Sequence, residues 1–306
     1  MTRTHMSSRR HFLRTVASTA AATAAMPALS QTSLRGSHAP AGAADEVRGG
    51  QPQRPIKLCF MTFVCPEWKI DKIVAFAQEA HYDGVEVRVD EGHQHDISTG
   101  SSAAARESTR RLFHDAGVEV AAIATSVQFA SPDAQTHKTQ LETAKANLDL
   151  AAALGAPVVR IFAGGGLAAL TPEAAAQVAA AFDEVGEYAQ ATGVCPILEC
   201  GHDIIKGHVE AMEVVRRVQT ANFGVLWNDS TIEQATLADL QPRLRHFHVH
   251  DEVLDPDNTN ILSLAGQIKR AGYRGYVSLE IIHGKNLPED LLKSVAARLT
   301  QQIAQG

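Results

Sequence analysis

The chain has 306 residues, with 28 Lys and Arg against 34 Asp and Glu and a net charge of -6. Residues 1–30 hold Arg3, Arg9, Arg10 and Arg14 and no acid, so without them the remainder stands near -10, which argues against nucleic acid as the main partner. The four cysteines, Cys59, Cys65, Cys195 and Cys200, form no CxxC pair and are expected as core thiols rather than a disulfide frame.

The first element is a segment in which Ser8-Arg9-Arg10-His11-Phe12-Leu13-Arg14 precedes a mildly apolar stretch from Val16 to Leu29. It reads as a twin-arginine signal peptide over residues 1–30, implying the Tat export machinery as a partner and a periplasmic or otherwise exported location. The stretch is short and diluted with Thr and Ser, so no stable membrane insertion is expected. Residues 31–54, rich in Gly, Ala, Pro and Gln, are expected to be a disordered linker. The remaining residues, 55–306, make up the length of one α/β barrel.

Eight strand-like runs then alternate with helical patterns: Ile56 to Phe63, Gly84 to Val89, Val118 to Thr125, Pro157 to Ala163, Cys195 to Cys200, Phe223 to Asn228, Leu244 to His250 and Tyr276 to Ile282. Between them, Ile70, Ile73, Val74 and Ala77, and further on Val178, Phe182, Val185 and Ala189, carry helical spacing. Thr171-Pro172 reads as a helix start, and Gly155, Gly193 and Gly272 stand where helices end. Eight βα units predict an α/β fold, a (β/α)8 TIM barrel, with a doubly wound open sheet as the lesser alternative. No GxGxxG opens a helix after a strand.

Catalytic groups of such a barrel gather at the C-terminal ends of its strands. In the second strand the valines alternate with Glu86 and Arg88, which places those two inward; the same parity turns Arg160 inward in the fourth. Each could fill the barrel as an internal salt bridge or face a substrate. In the seventh strand His246, His248 and His250 share one face, with Phe247 and Val249 on the other. Glu199 and Glu280 close apolar strands on either side. Carboxylates there are costly to bury without a cation, so with a His-rich strand between them they suggest a shared metal. In the sixth strand parity favours Asn228 over Asp229 as the inward group. Gly92-His93-Gln94-His95 is a candidate loop over the mouth.

These pieces together carry a resemblance: Tyr82-Asp83-Gly84-Val85-Glu86, Ile197-Leu198-Glu199, Gly224-Val225-Leu226-Trp227-Asn228, His248-Val249-His250-Asp251 and the run from Gly272 to Glu280. The chain resembles the sugar phosphate isomerase/epimerase family, the xylose isomerase-like barrels. The resemblance implies a divalent metal ion (Mn, Mg, Co or Zn) held by Glu199, Asn228, His248 and Glu280, with Glu199 and Glu280 doubling as acid and base and His202 and His250 beside them. It departs at Asn228, where many members have Asp, and this removes one negative charge. Related AP endonucleases place a His where this chain has Thr231, a further argument against DNA as the substrate. The implied activity is isomerisation or epimerisation of a keto- or aldo-sugar, or a derivative, through an enediolate. Glu86, Arg88, Arg160, His202, His250 and Lys285 are the candidates for contact with this small molecule. The competing readings are an exported sugar-binding or scaffold barrel without catalysis, and a lyase or dehydratase acting on a keto-sugar or inositol derivative. A homo-oligomer is left open.

Overall fold

Eight short apolar runs form parallel strands in the computed structural model, which describes residues 54–284 and 286–306. The strands are β1 (Ile56–Met61), β2 (Gly84–Arg88), β3 (Glu119–Gln128), β4 (Val158–Phe162), β5 (Cys195–Cys200), β6 (Gly224–Asn228), β7 (Leu244–Val249) and β8 (Gly275–Leu279). They pair in sequence order, and β1 pairs with β8, so the sheet closes into a barrel. The open-sheet alternative is thereby excluded. The expected signal, residues 31–53 of the linker, and Lys285 lie outside the described residues.

Helices follow the strands: α1 (Ile70–Glu79), α2 (Ala103–Ala116), α3 (Ala134–Leu154), α4 (Pro172–Ala189), α5 (His208–Val215), α6 (Gln234–Leu240), α7 (Asn260–Arg270) and α8 (Glu289–Gln305). The start of α4 is built as its sequence implies: the Thr171 hydroxyl accepts from the Ala174 N–H, and Pro172, with no N–H to leave unsatisfied, fills the first helical position. The apolar stripe of α4, Val178, Phe182, Val185 and Ala189, is buried against the sheet. Burial of a side chain the size of Val or Phe stabilises the fold by about 1.5–3 kcal/mol. Gly155 ends α3 with φ +79°, a left-handed conformation that glycine adopts without a Cβ clash.

Two apolar layers result. Outward residues such as Val85, Val87, Val225, Trp227, Phe247 and Val249 join the helices in one continuous core. Inside the barrel Ala122, Val158, Ile197 and Leu226 pack together across four adjacent strands. Below them, at the N-terminal end, Glu119 accepts hydrogen bonds from Lys57 Nζ (2.8 Å) and the Tyr276 hydroxyl (2.6 Å), tying β1, β3 and β8. No helix among the described residues is long and apolar enough to cross a membrane.

Several expected boundaries shift. The third strand runs on to Gln128, past a register irregularity between Ala124 and Gln128, because its last residues pair with Phe162. Glu280 stands one residue beyond β8, although its N–H still bonds the Val249 carbonyl at 2.9 Å and so continues the ladder. All four cysteines are free, but Cys195 is only partly buried, at the first position of its strand.

Candidate active site

The C-terminal mouth of the barrel brings Glu199, Asn228, His248, His250 and Glu280 together, each at or next to a strand end. Parity explains the selection. Leu226 lies in the barrel interior and Trp227 in the outer core, so Asn228, two residues after Leu226, faces inward. Its Oδ1 accepts from His250 Nε2 at 2.7 Å. Asp229 is exposed, and its Oδ1 is taken by the Thr231 N–H (2.7 Å) and hydroxyl (2.8 Å).

The carboxylate of Glu280 is the hub. Its Oε2 lies 3.0 Å from His248 Nδ1 and accepts from His250 Nε2 at 3.1 Å. On the far side of His248, its Nε2 donates to Glu86, 3.1 Å from each carboxylate oxygen, while His246 Nε2 donates to Glu86 Oε2 at 2.9 Å. On β4, Arg160 Nε lies 3.1 Å from Glu199 Oε2, its Nη1 donates to the Thr125 carbonyl at 2.8 Å, and its guanidinium stacks 3.9 Å from the Phe162 ring.

Buried atoms without a hydrogen-bond partner mark where this arrangement is incomplete. His248 Nδ1 and Glu199 Oε2 are both such atoms, since their close contacts to Glu280 and Arg160 lack the alignment of hydrogen bonds. Ligand atoms of Glu199, His248 and Glu280 all fall within 4.8 Å of one another. A divalent cation would satisfy all three, with one imidazole nitrogen and two hard carboxylate oxygens. Three buried carboxylates, Glu86, Glu199 and Glu280, gather here around the Arg160 guanidinium and the buried imidazoles, a setting in which added positive charge is favoured.

The same field separates the titrating groups. Burial works against charge throughout, yet His248, flanked by Glu280 and Glu86, is raised well above the usual imidazole range. Glu280, despite its burial, is held below the usual carboxylate range by His248 and His250. Glu86 is held low in the same way by His248 and His246. Glu199 moves in the opposite direction, because burial outweighs the favourable charge of Arg160. Two neighbouring carboxylates with pKa values pushed apart are the arrangement that proton transfer between an acid and a base requires.

The remaining candidates are placed differently. Glu86 is fully buried with both oxygens engaged, and lies below the mouth rather than in it. Arg88 clamps β2 to β3, donating to the Val89 and Ala124 carbonyls, to Glu91 (2.6 Å) and to the Ser126 hydroxyl (2.7 Å). These bonds commit its Nη1 and Nη2 to the scaffold, while the buried Nε has no hydrogen-bond partner. His202 is exposed at the rim, its ring 5.5 Å from that of Phe162. The expected mouth loop is pinned instead: His95 is buried, and its ring nitrogens engage the Arg88 carbonyl and the Ile97 N–H. Sequence reasoning missed Asp251, whose carboxylate accepts from the Ile282 and His283 N–H groups at 3.1 Å and so ties the loops after β7 and β8. Its only sequence signal was its position directly after the His-rich strand.

Comparison with known proteins agrees with the fold. The family described as xylose isomerase-like TIM barrel matches residues 74–302. Among solved structures, D-allulose 3-epimerase from Methylomonas sp. is 19% identical, with 83% of this chain and 98% of that one covered and a TM-score of 0.66. A 3-keto-D-glucoside 4-epimerase from E. coli is 15% identical, with 82% and 100% covered and a TM-score of 0.64. The IOLI protein with a bound zinc atom is 17% identical, with 81% and 98% covered and a TM-score of 0.67. No curated protein matches the chain by sequence.

Proposed function

Because the chain belongs to the xylose isomerase-like TIM barrel family, we propose that it is a divalent-metal-dependent isomerase or epimerase of a keto- or aldo-sugar or a close derivative. The observation that carries this reading is the convergence of Glu199, His248 and Glu280 with two orphaned buried ligand atoms at the barrel mouth. The epimerase activities named for D-allulose, 3-keto-D-glucoside and L-ribulose enzymes of the same fold support the substrate class.

Glu199, His248 and Glu280 would hold the cation, with the Asn228 carboxamide oxygen beside them. When bound, such an ion would supply positive charge that acidifies the hydrogen on the carbon next to the sugar carbonyl. Glu280, kept ionised by His248 and His250, is placed to accept that proton. Glu199, with its raised pKa, is placed to return one, to the opposite face of the same carbon for epimerisation or to the neighbouring carbon for isomerisation. Turnover of a panel of keto- and aldo-sugars, with Mn, Mg, Co or Zn added to metal-stripped protein, tests the reading. Solvent deuterium should enter the product at the reacting carbon. Sugar binding without turnover under every metal would favour a non-catalytic barrel instead, a reading that the neutral Asn228 supports.

The strand-six ligand is tested by metal titration. Asn228→Asp should tighten binding by roughly tenfold, since a carboxylate contributes more to a hard cation than an amide does. Asp229→Ala should change affinity less than twofold, because its carboxylate is committed to Thr231. The reverse ranking would move the ligand to Asp229.

Export is proposed on the Arg9-Arg10 pair alone. Replacing both with Lys should leave the precursor in the cytoplasm on fractionation, and unchanged periplasmic delivery would refute the signal.

A further inference from the structure

Resting on the cation site proposed above, we infer that Glu86 is a positioning residue that fixes which nitrogen of His248 is offered to the ion. A neutral imidazole carries one N–H, and the hydrogen bond made by one nitrogen decides the role of the other. An ionised carboxylate can only accept. Glu86, with both oxygens 3.1 Å from His248 Nε2, therefore holds a proton on Nε2 and leaves Nδ1 as the nitrogen open to the ion. It is Nδ1 that lies 3.0 Å from Glu280 Oε2, lacks a hydrogen-bond partner and falls within the cluster with Glu199.

Glu86 itself is held from a second side. His246 Nε2 donates to Glu86 Oε2 at 2.9 Å, and the His246 ring packs edge-on against that of His248 with centroids 5.4 Å apart. Glu86, His246 and His248 are all fully buried, so neither imidazole can turn to an alternative partner in solvent and no substrate reaches Glu86. The carboxylate thus acts through His248 rather than on the sugar. Outer partners of this kind, when altered, typically cost 10- to 100-fold in metal affinity.

Glu86→Gln separates positioning from packing. The amide keeps the shape of the carboxylate but offers His248 Nε2 one neutral acceptor in place of two charged ones, and sets an NH2 donor beside it that competes for a proton on Nδ1, the nitrogen the ion needs. Cobalt titration of metal-stripped protein should show about 10- to 100-fold weaker binding and an altered visible absorption spectrum, with circular dichroism unchanged. Glu86→Asp, an acceptor withdrawn by one methylene, should fall between the two and carries the test if the glutamine variant does not fold. In the wild-type zinc-loaded chain, nitrogen-15 NMR of the histidines should find the His248 proton on Nε2. Wild-type cobalt affinity and spectrum in either folded Glu86 variant, or a proton on Nδ1, would overturn the inference. Glu280→Gln, titrated in parallel, tells the two failures apart: loss of cobalt there with none in the Glu86 variants defeats only the positioning role, whereas full retention there defeats the cation site and this role with it.

Discussion

Glu280→Gln is expected to lower turnover by about 10²- to 10⁴-fold as the loss of a proton-transferring group, and to abolish stoichiometric binding of a divalent ion. Both effects arise from one oxygen. Glu280 Oε2 meets His248 Nδ1 and His250 Nε2 at 3.0 and 3.1 Å, and no other carboxylate among the described residues touches either nitrogen. Glutamine preserves the volume and one carbonyl acceptor, so the barrel should stay folded while the hard anionic ligand is gone. Metal analysis of the purified variant, beside steady-state kinetics on the best substrate of the panel, checks both. Wild-type metal content would show the ion to lie elsewhere. Normal turnover with metal lost would separate catalysis from the cation altogether.

The second large effect concerns stability. Arg160→Met should destabilise the metal-free fold by about 3–5 kcal/mol, the cost of removing one partner from a buried ion pair. For a domain of this size that corresponds to a drop in Tm of roughly 10 °C. The guanidinium is 1% exposed and faces Glu199, which is 3% exposed, and among the described residues no other cation contacts that carboxylate. The pH dependence has a definite sign. Without Arg160 the Glu199 carboxyl, already raised by burial, rises further above its unfolded value of about 4.3. The folded state then binds a proton more tightly than the unfolded one. Its deficit against wild type is therefore largest at neutral pH and closes as the pH falls through the raised folded-state pKa of Glu199 toward the unfolded value. Thermal melts from pH 4 to pH 8 check this, and a deficit independent of pH would assign the loss to packing and the Thr125 contact instead.

Short, nearly continuous apolar runs made the eight strands legible, because a closed parallel barrel buries one face against helices and the other against its own interior. Strand ends were less so. Glu280 lies just past β8 because ladder hydrogen bonds, rather than side-chain pattern, decide where a strand stops. The inward sets of Glu199, Asn228, His248 and Glu280 come from period two alone. Which inward residues reach the mouth does not, since parity says nothing of height along the barrel axis. Glu86 and Arg88 share a face with the site, yet one is sealed beneath it by two histidines and the other is held by the Ala124 carbonyl of β3 and by Glu91. Those partners come from strands distant in sequence, and only the register of the closed sheet brings them together.

The pairing of β1 with β8, Ile56 opposite Gly275, also governs how the chain is made. Until the last strand has left the ribosome, β1 has only β2 beside it, and its other row of N–H and C=O groups stays open. The advancing strand at the other end is exposed in the same way. No intermediate number of βα units removes these two edges, so a nascent or truncated chain that stops short of Gly275 presents two templates for pairing with its neighbours. Completion of the polypeptide, rather than of any local unit, is the event that turns an aggregation-prone ribbon into a ring without ends.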